Sequence, residues 1–190
     1  MIENSKLFND LKAEILKIFT DKNIATDPAH SVNTYEWLLK LDQNASEELQ
    51  IAALAHDIDR AIDPSVVQKK DESYDSYKVR HALRSSKLIA DLMIKHGYSK
   101  NSIEKTSLLV KNHEVGGDKD MNTLADADSI SYFDTNIDWY YGVKGPEKTK
   151  NKIIFMYQRV SPRAKKIIGS LKFKNPEIQN IFEKCLSEVN

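Results

Sequence analysis

The stretch A52-A-L-A-H-D-I-D-R-A61 decides how the chain is read. Its small and apolar lead-in looks made for burial, yet it runs straight into His56 and Asp57, with Asp59 and Arg60 close behind. Adjacent helix residues point about 100° apart. His56 and Asp57 can therefore serve one centre only near a helix end, or with a carboxylate spread between two ions.

Working outward, the periodicity is helical on both sides. Leu7, Phe8, Leu11, Ile15, Ile18 and Phe19 keep the spacing of one helix face. Asp27-Pro28 reads as a cap followed by proline in the first helical position, opening a helix with His30, Thr34, Trp37 and Leu41 on one stripe. A third helix runs from Ser46 to the His–Asp pair, and the polar, patternless stretch Asp63 to Tyr74 reads as a loop. A helix from about Tyr77 stops at Gly97. The next carries Ile103, Thr106, Leu109, Val110 and His113 and ends at Gly116-Gly117, as a plain stop or a flap hinge. A shorter helix carries LADADSISYF, and three more close the chain, two of them opening at Ser161-Pro162 and Asn175-Pro176. No alternating strand, repeat or linker is visible. The expectation is one all-α domain over residues 1–190.

Composition narrows the function. Lys and Arg total 28 and so do Asp and Glu, so nothing draws the chain toward nucleic acid or a membrane surface. No apolar run approaches the roughly 18 residues of a membrane span. A single cysteine, Cys185, allows no internal disulfide and suggests a reducing compartment. The opening MIENSKLFNDLK carries acids and no unbroken apolar core, so it does not read as a secretory leader. A cytoplasmic protein is expected, and its aromatic, all-α surface permits a homodimer.

The chemistry lies in five histidines: His30, His56, His81, His96 and His113. His30 sits in a helix stripe, and His81 begins the face His81, Arg84, Ser85, Leu88 and Leu92. His113 closes its helix, and Asp126 and Asp128 lie in a small, apolar setting. Uncompensated carboxylates on such faces would cost several kcal/mol of desolvation. A shared metal removes that cost, and imidazole with carboxylate suits Mn, Fe, Co, Ni or Zn. His96, before Gly97, reads as structural at a helix C-terminus.

His30, then His56-Asp57, then Asp128 resembles the H…HD…D order of the HD-domain superfamily, over roughly residues 27–133. RHALRSSKLIADLMIKHGYS and LLVKNHEVGGD resemble the segments that bring a second metal in dinuclear branches. The resemblance implies a single HD-domain helical bundle, with further helices over about 146–190. It implies Asp57 bridging two divalent ions, with His30, His56 and Asp128 on one and His81 and His113 on the other. Ala127-Asp128-Ser129-Ile130 fits the family pattern. Asp126 is the alternative, or orients a ligand histidine from behind.

Two such ions would activate a hydroxide and draw charge from phosphoryl oxygens. The expected activity is metal-dependent hydrolysis of a nucleotide or another small phosphoester, with Asp57 and Arg60 in the catalytic centre. Arg60, Arg84, Lys87 and Lys111 are candidates to meet the phosphate. Arg60 stands where several HD branches carry an acid, which leaves the general acid unnamed. Asp59 is a candidate only if it turns inward. The stretch WYYGVKGPEKTKNKIIFMYQRVSPRAKK is aromatic then basic; it is a core helix, or it closes the pocket with a Lys or Arg and stacks a base on Trp139, Tyr140 or Tyr141. Two other functions share the ligand set: a di-iron oxygenase, marked by iron content and O₂ uptake, and a non-catalytic binding module, marked by flat phosphatase assays.

Overall fold

The computed structural model describes residues 5–21, 27–63 and 68–189, and the side chains of residues 27 and 28 lie outside that description. The fold is all-α. Its helices are α1 Lys6–Asp21, α2 Asp27–Leu41, α3 Glu47–Ala55, α4 Ile58–Ile62, α5 Tyr74–Lys95, α6 Lys100–Asn112, α7 Lys119–Ser131, α8 Ile137–Gln158, α9 Pro162–Gly169 and α10 Pro176–Val189. A π-helical turn, Tyr132–Asn136, joins α7 to α8. No strand occurs among the described residues. Nor is any described helix long and apolar enough to cross a membrane.

Side-chain caps start most of the helices. Ser46, Ser73, Ser99, Asp118 and Ser161 each accept the backbone N–H three residues on. Each satisfies an amide that the first turn leaves without a helical partner. Ser73 starts α5 about three residues before the Tyr77 expected from periodicity, because the polar residues ahead of Tyr77 carry a cap but no apolar phase. The capping expected of Asp27 and Pro28 lies outside the described side chains, as do residues 64–67 of the expected loop.

Three helix breaks shape the centre. The chain leaves helical geometry at Asp57 (φ −108°, ψ 18°), so α3 stops and α4 starts on either side of the His–Asp pair. Gly116 (φ 76°) ends the turn after α6, its N–H bonding to the Asn112 carbonyl at 2.9 Å. A Cβ there would lie 2.5 Å from Asn122 Oδ1, so the position needs glycine twice over. It serves as a plain helix stop. Gly145 (φ 78°) breaks α8 just before Pro146, which is where the C-terminal helices were expected to begin.

Two apolar clusters hold the bundle. One gathers Phe8, Leu11, Ile15 and Phe19 of α1 with Leu38, Leu49, Ile51, Leu54, Ile89 and Val110. The other gathers Ile130, Phe133, Ile137, Ile153, Met156, Ile168, Ile178, Phe182 and Cys185. Trp37 and Leu41 of α2 pack against both. Each fully buried large side chain stabilises by roughly 2 kcal/mol relative to exposure. Because α7 lies against α2 and also leads into the second cluster, its polar residues are held between two packed masses.

The aromatic stretch mostly follows the core reading: Ile153 and Tyr157 are buried, the Tyr140 ring meets Tyr132, and the Tyr141 hydroxyl donates to Glu177. Phe182, 2% exposed, packs ring to ring with Phe133 at 5.7 Å and Phe173 at 5.0 Å. Phe182→Ala is expected to cost about 3–5 kcal/mol through lost transfer energy and a residual cavity. Denaturant unfolding of the purified variant reads this directly; a loss below about 1 kcal/mol would mean that the second cluster is loosely packed.

Candidate metal centre

Four helix-borne imidazoles and two carboxylates converge in the interior. His30 comes from α2, and His56 and Asp57 from the α3–α4 break. His81 lies on α5, His113 ends α6, and Asp128 lies on α7. All six are buried. They form two groups, His30–His56–Asp128 and Asp57–His81–His113, in each of which the donor atoms lie within 4.8 Å of one another.

Within the first group, His30 Nε2 lies 3.2 Å from His56 Nε2 and 3.1 Å from Asp128 Oδ1. His56 Nε2 is 3.6 Å from that same oxygen. Within the second, Asp57 Oδ1 is 2.7 Å from His81 Nε2 and 3.7 Å from His113 Nε2. The other Asp57 oxygen, Oδ2, faces back to His56 Nε2 at 3.8 Å. One carboxylate thus addresses both groups, one oxygen to each. The helix break supplies that freedom.

The backbone and neighbouring side chains aim the rings. His56 Nδ1–H donates to the Ala53 carbonyl at 3.0 Å, and His113 Nδ1–H to the Val110 carbonyl at 2.7 Å. Ser131 gives its own hydrogen to the His30 carbonyl and so accepts from His30 Nδ1–H at 2.9 Å. In all three rings Nδ1 carries a proton, so it is Nε2 that faces inward, with a lone pair whenever the ring is neutral. His81 differs in having a carboxylate behind it: Asp59 Oδ1 lies 2.6 Å from Nδ1, as an ion-pair contact off the N–H line. Asp59 is fully buried and accepts from the Ser85 hydroxyl at 3.0 Å. It turns inward, as a support for His81.

This donor set fits divalent transition ions. The Nε2 atoms of His30 and His56, 3.2 Å apart, need a cation or a shared proton between them. The ligands are nitrogen and oxygen, buried, with partners on their outer atoms, as metal-binding histidines usually have.

Electrostatics in the metal-free chain point the same way. Burial opposes the charge on Asp57, but Arg60, His56 and His81 hold its carboxyl well below the usual range. Burial likewise opposes charge on Asp128, which Arg159 and the two neighbouring histidines keep ionised. Against burial, the Asp57 and Asp128 carboxylates raise His56 to about 9. Burial pushes His113 down to about 4.

The remaining candidates divide clearly. Arg60 reaches Asp57 Oδ2 and comes within 3.3 Å of His81 Nε2. Arg84 instead pairs with Asp63 at 2.9 Å, half exposed. Lys87 and Lys111 stand on exposed helix faces. His96 ends α5 and meets Glu14 at 2.8 Å, away from the centre. Asp126 orients no histidine; its Oδ1 accepts the Ser161 N–H at 2.8 Å and its Oδ2 the Ser161 hydroxyl. The 200° between positions two apart on a helix sends Asp128 to the histidines and Asp126 to the start of α9.

Periodicity left two participants unseen. The guanidinium of Arg159, 11% exposed, donates to Ser129 Oγ at 2.7 Å, to Glu114 at 3.0 Å and to Asp128 Oδ2. Glu114 follows His113 directly and lies 3.9 Å from its Nε2. Adjacency to His113 was the available signal for Glu114. The reading of residues 139–166 as a stretch that closes the pocket with a Lys or Arg was the signal for Arg159, but it did not single the residue out, because its partners lie 30, 31 and 45 residues away.

Two expectations follow. His56 binds its proton more tightly in the folded chain, so its stabilisation is complete below the ordinary histidine value of 6.5 and is lost as pH rises toward about 9. His113 prefers to be neutral, so its contribution is present above 6.5 and is lost as pH falls toward about 4. The melting temperature of the chelator-treated chain should therefore peak near pH 6.5 and fall on both sides, and a profile flat from pH 4 to 9 would contradict these shifts. Asp126→Asn should cost about 2–3 kcal/mol of stability at unchanged metal content, whereas Asp128→Asn should lower the bound metal per chain; the reverse pattern would reassign the two aspartates.

The chain matches one described family. Residues 9–181 match the family described as "Domain of unknown function (DUF4202)". Comparison with curated proteins and with solved structures gives no match. A match spanning most of the chain, from α1 into α10, places it: the protein belongs to the DUF4202 family.

Proposed function

We propose that the protein is a metal-dependent phosphohydrolase of the HD type, acting on a nucleotide or another small phosphoester. The observation that carries the reading is the Asp57 carboxylate, with one oxygen among His81 and His113 and the other toward His56. His30, His56 and Asp128 would hold one ion, His81 and His113 the other, and Asp57 both. Two divalent ions, when bound, supply Lewis acidity and an acidified water near neutral pH.

The chain's own residues support that chemistry. Ala53, Val110 and Ser131 lock three imidazoles in the tautomer that faces the centre. Asp59 stands behind the fourth. Arg159 takes one oxygen of Asp128, so the other stays turned to His30 and His56. Arg60, one-third exposed at the edge of the buried groups, is placed to meet an anionic oxygen entering from solvent. Burial of the six donors keeps bulk water from competing for them.

The test is elemental analysis of the chain purified without added metal, followed by a phosphoester panel. About two ions of Mn, Fe, Co, Ni or Zn per chain are expected, with phosphate release from at least one substrate. His81→Ala combined with His113→Ala should reduce the content to about one ion and depress turnover at least 100-fold. No metal after soaking, or two ions with a flat panel, would sink the reading.

A further inference from the structure

The cations around the centre differ in one respect. Arg60 is paired with Asp57, Arg159 with Asp128 and Glu114, Arg84 with Asp63, and Lys78 with Asp75. Lys152 has no such partner. Among the described residues no carboxylate comes within ion-pair distance of it, and its contacts are the Tyr74 hydroxyl, 3.1 Å from Nζ, and aromatic rings. Nζ lies 5.2 Å from the centre of the Phe155 ring, 5.6 Å from Tyr132 and 5.7 Å from Tyr74. The residue is half-buried. Glu114 and Asp128 attract the ammonium only from beyond ion-pair distance, and burial outweighs them. Burial accordingly pulls its pKa down.

Its position is as telling as its lack of a partner. Lys152, Phe155 and Arg159 fall at i, i+3 and i+7 and so share one face of α8. Arg159 lies 5.3 Å from the Phe155 ring and reaches Asp128, in the first metal group. On the other side Tyr74 stacks on Tyr77 at 6.3 Å, and Tyr77 stacks on His81 at 5.9 Å, in the second. Ring contacts thus lead from Lys152 through Phe155 to Arg159 and through Tyr74 and Tyr77 to His81, from a helix that contributes no candidate metal donor. Tyr74 is 42% exposed and Lys152 half-buried, so the pair stands where the buried cluster meets the surface.

We infer that Lys152, aimed by the Tyr74 hydroxyl, is a second anion-binding residue of this site, beside Arg60, and takes the phosphate of the substrate. The inference rests on the phosphohydrolase reading for the identity of the anion. The exposed Tyr74 ring beside it gives the remainder of the substrate a face to lie on. Tyr74 would then offer a stacking face alongside Trp139, 44% exposed, whereas the Tyr141 hydroxyl is engaged with Glu177.

The test is calorimetric titration of inorganic phosphate into the full chain, once loaded with Mn²⁺ and once chelator-treated, with metal content and melting temperature measured alongside. Lys152→Gln should weaken phosphate binding about tenfold or more, and Tyr74→Phe should weaken it severalfold through loss of the aiming hydroxyl. Lys152→Arg should restore most of the affinity, and all three variants should keep the wild-type metal content. A Lys152 dependence seen in the chelator-treated chain would uphold the anion site even if the chain proves to hold no metal. A smaller loss in Lys152→Gln, or no phosphate binding by the wild type in either form, overturns the inference. A purely structural lysine would lower the melting temperature and leave the phosphate affinity where it was.

Discussion

The Asp57 carboxylate is the constraint on which the rest depends. It is buried, it faces imidazoles on both sides, and an arginine neutralises it from outside. An ionised carboxylate in that position would cost several kcal/mol without those partners. The fold is arranged around supplying them. α3 ends so that His56 and Asp57 can diverge, α4 turns Arg60 back onto Asp57, and α5 and α6 deliver His81 and His113 to the far oxygen. The apolar lead-in Ala52–Ala55, wholly buried, anchors the break that makes this divergence possible.

The second carboxylate solves the same problem through a different element. Asp128 shares its oxygens between His30 and His56 on one side and Arg159 on the other. Arg159 also takes Glu114 and Ser129, so one side chain joins the end of α6, α7 and the end of α8. The C-terminal helices are therefore more than an extension of the bundle. They carry Arg159, the counter-charge of Asp128, while their own apolar cluster packs against α8. The π-helical turn after α7 belongs to this arrangement, since it redirects the chain into α8 just beyond Ser131, the residue that aims His30. Such turns often mark functional sites.

Support from behind the donors is unevenly distributed. Three of the four imidazoles lean on a carbonyl or hydroxyl, whereas His81 alone leans on a carboxylate, Asp59. A carboxylate beside the ring favours its charged form through space, which a neutral acceptor does less. The two groups are thus chemically unequal, although each consists of two histidines and one aspartate.

Much of this was legible in the residues alone. Helical periodicity and the helix openings at Ser161-Pro162 and Asn175-Pro176 identify the elements, because they depend on near neighbours in the chain. The six candidate donors could be named for the same reason: a histidine on an apolar stripe or an aspartate among alanines is a local anomaly. The family pattern then ordered them. What the residues could not disclose was pairing across the fold. That Asp59 faces inward depends on how α4 meets α5, and that Asp126 holds Ser161 and Arg159 takes Asp128 and Glu114 depends on how α7 and α8 pack. Side-chain chemistry within one helix turn is written in the sequence. Which charges meet across 30 to 100 residues is decided only when the apolar faces close.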